Sequence, residues 1–498
     1  MNKAFRKRMC VILAMLLLMA LLLPGCAPKE VTLRVLLEDD YEFQYNEWLK
    51  PFNEQVKIVA RQFDRAHENV KVVIEQLPQD PKAREIMLER LGTEIMAGKG
   101  PDIFVLPAAR TNMNLAEPTA SLGVPLPSEN YEMLFSDVEL SMHNGLFADI
   151  SEYYDADTEL GKESLVTAVM DAGVLGDARY VLPLKYNIPL VYVDTDRMTE
   201  AGVSLDIFDQ DIVSMMDDIT ESGLDWLAAG AHLNQIWYYV LNFFPEVVDY
   251  GEQKVVITEE ELTTFMRSYI SMRQLQGSRK IGDLFSCFES YASELYHKDS
   301  VAGGDDRYGY GLATADLDVA LSSVLIAMDA GTDLAMYPLR ATDGSVIADV
   351  TFYGAVGAGC EKPELAYELL RGMLSEEVQW NSNLEDKDQV FFGGLSTLII
   401  PASGWPVRAY GGVETMCKTH YKLGGKVSRT GGVDISDDDL PFLDIQIDKC
   451  RFSTLQEESL GRKIKGLYSK INPDVDDAKL EATAEEWLRE LEWHLGEG

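Results

Sequence analysis

Between residues 31 and 106 the hydrophobic pattern alternates between the strand period and the helix period, and few architectures accept that alternation. Val31 to Leu37 (VTLRVLL) predicts a strand. Leu49, Phe52, Val56, Val59 and Phe63 recur at helical spacing with charges between them. Val70 to Leu77 (VKVVIEQL) predicts a second strand. Leu88, Leu91 and Ile95 mark a second helix that Gly98 ends, and Ile103 to Leu106 a third short strand. Strands alternating with helices predict an α/β sheet with parallel strands. In such sheets ligands bind beyond the carboxyl ends of the strands, so the loops that follow strands are candidate sites.

A leader precedes this unit. Lys3, Arg6, Lys7 and Arg8 come without an acid, and Met9 to Leu23 is almost unbroken Leu, Met, Ala, Val and Ile. That is the basic and apolar pattern of a signal peptide. The run is shorter than the roughly 20 residues that span a bilayer as a helix. Leu23-Pro24-Gly25-Cys26 resembles a bacterial lipobox, with Pro24 where that pattern prefers Ala, Ser or Thr. The resemblance implies a signal peptide over residues 1–25, lipidation of Cys26 and a tether over 26–30. An uncleaved anchor helix is the alternative, and either reading exports and tethers the rest of the chain.

Bulk properties agree with export. The 498 residues suggest two or three domain-sized units, and 46% hydrophobic content can fill sizeable cores. Removing the four leader cations leaves 40 basic against 82 acidic residues, which takes the net charge from −38 to about −42. That argues against nucleic acid as a partner and against anionic membrane surfaces. Beyond Cys26, the cysteines at 287, 360, 417 and 450 are too scattered for a disulfide scaffold, and none forms a CxxC pair. A Cys417–Cys450 bridge and buried free thiols both fit the spacing.

Two stretches carry a resemblance to a known family. RQFDRAHENVKVVIEQL, followed by LERLGTEIMAGKGPDIFVL, resembles the extracellular solute-binding proteins, family 1, the sugar-type binders of bacterial ABC importers. The family's "A-G-x-x-P-D-I" reads here Ala97-Gly98-Lys99-Gly100-Pro101-Asp102-Ile103. Gly98 and Gly100 let the chain leave the helix, and Pro101 bars more helix. GDARYVLPLKYNIPLVYV (176–193), YGAVGAG (353–359) with Lys362-Pro363-Glu364, and Gly404-Trp405-Pro406-Val407-Arg408 extend the match in order. The resemblance implies a two-lobe α/β fold of the periplasmic-binding-protein type II class, its lobes joined by a hinge around a ligand cleft. It implies lobes of residues 31–145 with 353–395 and of 146–352 with 396–498, the chain first crossing near Phe147 to Tyr153.

Sugar recognition needs flat aromatic faces and planar hydrogen-bonding side chains. The candidates are Glu38, Asp39 and Tyr41 after the first strand, and Tyr186 and Asn187 in LPLKYNIP. Tyr353 on the returning strand, Trp405 and Arg408 around Pro406-Val407, and Trp237 in the cluster IWYYVLNFF complete the set. Each has a structural alternative: a solvated acidic turn for Glu38 to Asp40, core packing for the aromatics. The resemblance implies a carbohydrate ligand, an oligosaccharide by size and aromatic content, delivered to ABC permease subunits by a monomer held on the extracytoplasmic face of the cell membrane.

An exported enzyme is the competing class. The six histidines, at 67, 143, 232, 297, 420 and 494, form no HExxH, and no GxSxG elbow occurs. The acidic runs at 155–157 and 434–439 lack the glycine of a calcium loop. We expect no catalytic residue, metal or cofactor. A receptor for a non-sugar solute, or one that reports to a sensor kinase, fits the same residues.

Overall fold

The computed structural model describes residues 30–38, 49–78, 80–108, 132–224, 227, 239–276, 312–316, 334–379, 405–408, 445–469 and 475–497. Strand β1 (Val31–Leu37) leads through α1 (Leu49–Ala66) to β2 (Val70–Gln76), and α2 (Pro81–Met96) leads to β3 (Ile103–Pro107). Next come α3 (Val138–His143), β4 (Val181–Asn187), β5 (Pro189–Asp194), α4 (Ile212–Ser222) and α5 (Glu259–Gln276). Then follow β6 (Leu312–Asp316), β7 (Leu334–Pro338), β8 (Ile347–Val356) and α6 (Pro363–Met373). The last are β9 (Trp405–Pro406), β10 (Lys449–Phe452), α7 (Leu455–Ser469) and α8 (Asp477–Glu497). Among the described residues no helix is long and apolar enough to cross a membrane, and the leader with Cys26 lies outside them.

A seven-stranded sheet runs β9-β4-β8-β3-β1-β2, with β10 also paired to β8. β1 lies parallel to β2 and β3, in register Val35 with Ile74 and Val35 with Ile103. β8 runs antiparallel to both β3 and β4, so the sheet is mixed where the strand–helix alternation predicts parallel strands. That rule applies to strands joined directly by a crossover helix, whereas β8 follows β7, a strand of a different sheet.

Alternation sorts the side chains onto two faces. Leu33, Val35 and Leu37 of β1 join Ile103 and Val105 of β3 in one core, under Phe52, Val56, Val59 and Phe63 of α1. Leu36, Phe104 and Leu106 enter the core on the other face, with Leu91 of α2 and Val138 and Met142 of α3. A second body surrounds the three-stranded sheet β6-β5-β7. Its core holds Val191 and Val193 of β5, Ile212 and Met216 of α4, and Leu262, Phe265 and Tyr269 of α5. Leu480, Ala484, Trp487, Leu491 and Leu495 recur at helical spacing along the last helix, and the stripe is buried throughout.

The chain links the bodies at three described places. A single residue, Ile188, separates β4 from β5; residues 339–346 join β7 to β8; and Ser453-Thr454 join β10 to α7. The first link is not where we expect it, near Phe147 to Tyr153. Ile150, Leu160, Leu165 and Val169 share a core with Leu33, and β4 pairs inside the larger sheet, so residues 146–187 stay with the first body. β9 and β10 also pair in that sheet. Strand pairing is a long-range choice that local pattern does not contain.

The two glycine-bearing motifs of the sequence meet in space. Gly357 N donates to the Asp102 carbonyl at 2.9 Å. A Cβ on Gly357 would stand 2.5 Å from the Pro101 carbonyl oxygen, and one on Gly359 would stand 2.5 Å from that of Gly98. Asp102 also accepts from the Arg34 backbone N–H at 2.8 Å, tying this loop to β1.

Candidate functional site

The carboxyl ends of β1, β3 and β4 and the start of β8 lie at one end of the larger sheet, where the links to the second body also emerge. Ligands of open α/β sheets collect at such an end.

Glu38 follows β1 directly and is buried. Arg84 of α2 holds its carboxylate with two bonds, of 2.6 and 2.9 Å, and Asn53 Nδ2 donates to the Glu38 carbonyl at 2.9 Å. Arg84 Nε also donates to the Glu132 carbonyl at 2.8 Å. A fork-to-fork pair of this kind fixes direction as well as charge. Glu38 therefore fixes the end of β1 by its pairing with α2, a partner that its acidic neighbours in sequence do not suggest. Asp39, Tyr41 and Trp237 lie outside the described residues.

Tyr186 and Asn187 end β4. Tyr186 pairs with Val350 of β8 and, on its other side, with Trp405 of β9. Asn187 sits opposite Asp349, and its Oδ1 accepts from the next backbone N–H, that of Ile188, at 3.1 Å. Asn187 thus fixes the turn where the chain leaves the sheet. Tyr186 and Tyr353 are both buried, and burial raises both phenols well above their usual range. Tyr353 packs edge-on against Phe452 at 5.6 Å, which is the core alternative for this residue.

Arg408 is the most heavily engaged of the predicted residues. Its Nε donates to the Leu374 carbonyl at 2.6 Å, and its terminal nitrogens reach the carbonyls of Leu160 and Gly161 and the hydroxyl of Ser164. The guanidinium staples the segment after β9 to two loops of the first body. A ligand arm needs free donors, and these are used by the protein. Gln379 supports the same segment, accepting from Val407 N at 3.0 Å and donating to Leu184 O at 3.2 Å.

Lys185 is not among the residues that the sequence motifs point to. It stands on β4 between Phe352 and Pro406 and is 2% exposed. It is the only cation in the run VLPLKYNIPLVYV, and a charge inside so apolar a run was the available signal. A second omission is the joint between the bodies. Asp137 caps α3, accepts from the Tyr250 hydroxyl at 3.0 Å and lies 3.2 Å from His494 Nε2 of α8. Beside it Arg451 donates to the Leu241 carbonyl at 2.8 Å, and Glu457 accepts from Leu241 N at 3.0 Å.

Among the described residues no group of His, Cys, Asp and Glu could hold a metal ion. Cys360 and Cys450 are free thiols, with Cys417 outside the described residues. Burial raises both thiols, Cys360 to about 12, which keeps them protonated and unreactive.

No family model matches the chain, and no curated protein matches it. Solved structures do. An oligogalacturonide-binding protein from Yersinia enterocolitica superposes with a TM-score of 0.52 at 13% identity, over 94% of this chain and 99% of that one. The galacto-N-biose-/lacto-N-biose I-binding protein of the ABC transporter from Bifidobacterium longum gives 0.52 at 13% identity, over 93% and 98%. An extracellular solute-binding protein family 1 from Alicyclobacillus acidocaldarius gives 0.50 at 13% identity, over 94% and 99%. A de novo designed cysteine esterase also superposes, at 0.52 and 14% identity, over 95% and 99%. At such identities the likeness is one of fold. The chain has the two-lobe α/β fold found in the extracellular solute-binding proteins.

Proposed function

We propose that this protein captures a carbohydrate outside the cytoplasm and delivers it to an ABC-type membrane permease. The observation that carries the reading is the pair of bodies joined at three described places by short links, one of them the single residue Ile188. Bodies linked in this way can close on a ligand by a hinge motion. The oligogalacturonide and lacto-N-biose I binders superpose on this fold over nearly their whole length, which supports an oligosaccharide as the ligand. Fold alone does not assign function, and the designed esterase shows that other activities can be placed on it.

In this reading the leader is removed, Cys26 is diacylated, and the protein stays beside its permease as a monomer. Two acyl chains suffice for stable anchoring. Asp39, Tyr41, Tyr186, Asn187, Trp237 and Trp405 remain the proposed ligand contacts. A thermal-shift screen of residues 27–498 against a glycan panel tests the function, because a ligand that binds only the folded state raises Tm. Shifts by peptides or polyamines and by no glycan would reject it. Mass spectrometry of the cell-derived N-terminus tests the anchor, which an unmodified Cys26 would rule out.

A further inference from the structure

Lys185 is a buried cation without a counter-ion among the described residues. It makes no hydrogen bond or ion pair among the described residues, although it is 2% exposed. Several other buried charges have partners: Glu38 has Arg84, Arg451 has the Leu241 carbonyl and the acid of Glu457, and Arg179 has the Met170 carbonyl. An ammonium removed from water without a partner is unfavourable, and proteins keep one chiefly where something else supplies the anion. Loss of hydration alone lowers Lys185 to about 8, so at neutral pH it is still charged for most of the time.

Position gives this charge a use. Lys185 lies two residues before the end of β4, next to Tyr186 and opposite Pro406, at the end of the sheet where the links emerge. We propose that Lys185 receives an anionic substituent of the ligand, which makes the ligand an acidic saccharide. The proposal rests on the carbohydrate reading above. An ammonium is a point charge and accepts a carboxylate or a sulfate alike. The chain's net charge of −38 repels any anion at long range, so the contact must be short and dehydrated to hold one.

The test is calorimetric titration of residues 27–498 with trigalacturonate, its neutral counterpart galactotriose, and a sulfated disaccharide beside its unsulfated form. An acidic sugar should bind at least tenfold more tightly than its neutral counterpart, and K185M should erase that ratio. The pair that shows the preference distinguishes carboxylate from sulfate. K185M should also raise the Tm of the unliganded protein, because it removes an unmatched buried charge. A lysine that merely packs would give the rise in Tm and leave the ratio unchanged. If K185M fails to fold, K185Q serves for the ratio. Equal affinity for acidic and neutral sugars, or a ratio unchanged in the variant, overturns the proposal and leaves the carbohydrate reading standing. Binding of no saccharide in either set overturns both.

Discussion

Asp137 and His494 lie 3.2 Å apart, one capping a helix of the larger body and the other near the end of the last helix of the smaller. The Asp137 carboxylate has three tasks: it accepts from Leu140 N at 2.9 Å, from the Tyr250 hydroxyl at 3.0 Å, and faces His494. Asp137→Ala therefore loses a helix cap, worth about 0.5–2 kcal/mol, and strands a buried hydroxyl at about 1–3 kcal/mol more. His494→Ala should cost less than about 1 kcal/mol, since its side chain is partly solvated. The double variant should show a coupling above about 0.5 kcal/mol by chemical denaturation. Strictly additive effects would mean the two bodies are not joined through this pair.

The same joint sets a pH dependence. Burial is the main force raising the Glu139 carboxyl from 4.5 to about 8, with Arg451 opposing it and Asp137 adding to it. A carboxyl raised in the folded state binds its proton more tightly there than in the unfolded chain. Stability should then fall as pH rises from about 4.5 to about 8. Glu139→Gln removes that slope. Lys185 acts in the next window with the opposite sign: lowered from 10.5 to about 8, it adds stability as pH rises across that interval, and Lys185→Met lacks the gain. Melting curves from pH 4.5 to 10.5 for the three proteins check both. Parallel curves would contradict the assignments.

How far the sequence was legible depends on whether a feature was local. The strand at Val31, the helix with Phe52, Val56, Val59 and Phe63, and the stripe ending at Leu495 were local periodicities, and each formed as its pattern required. The direction of β8 and the point where the chain leaves the first body were not local. They depend on pairings such as Asp349 with Asn187, between residues far apart in sequence. The same limit holds at the site. Glu38 and Arg408 have side chains suited to a ligand, yet Arg84 and the Leu374 carbonyl engage them, and nothing near 38 or 408 in sequence announces those partners.

The Glu38–Arg84 pair supports a prediction of its own. Both side chains are about 3% exposed, so removing one leaves the other charged and buried. Arg84→Ala should destabilise by about 3–5 kcal/mol, whereas replacing both by apolar residues of similar volume should cost much less. Arg84→Lys keeps the charge and loses the two-pronged geometry, and should fall between. Denaturation of the three variants orders them. An Arg84→Ala cost below about 1 kcal/mol would show that the pair is hydrated in solution.

The meeting of the two glycine motifs predicts a sharp steric cost at one atom. A methyl group on Gly359 would lie 2.5 Å from the Gly98 oxygen, 2.7 Å from its carbonyl carbon and 3.0 Å from its Cα. All three contacts are to backbone, which cannot rotate aside as a side chain can. Gly98 itself has a φ of +66°, in the left-handed region that favours glycine, so this turn has little freedom to shift. Gly359→Ala should thus destabilise by about 1–3 kcal/mol, the usual range for overpacking. Gly98→Ala should also destabilise, by about 1 kcal/mol, through its backbone angle alone, since no atom stands within 4 Å of the added methyl. The contrast is the test: Gly98→Asn should recover part of the loss at 98, because asparagine tolerates positive φ, while no substitution at 359 should recover it. Equal tolerance at both sites, read from their melting temperatures, would mean the two motifs do not touch.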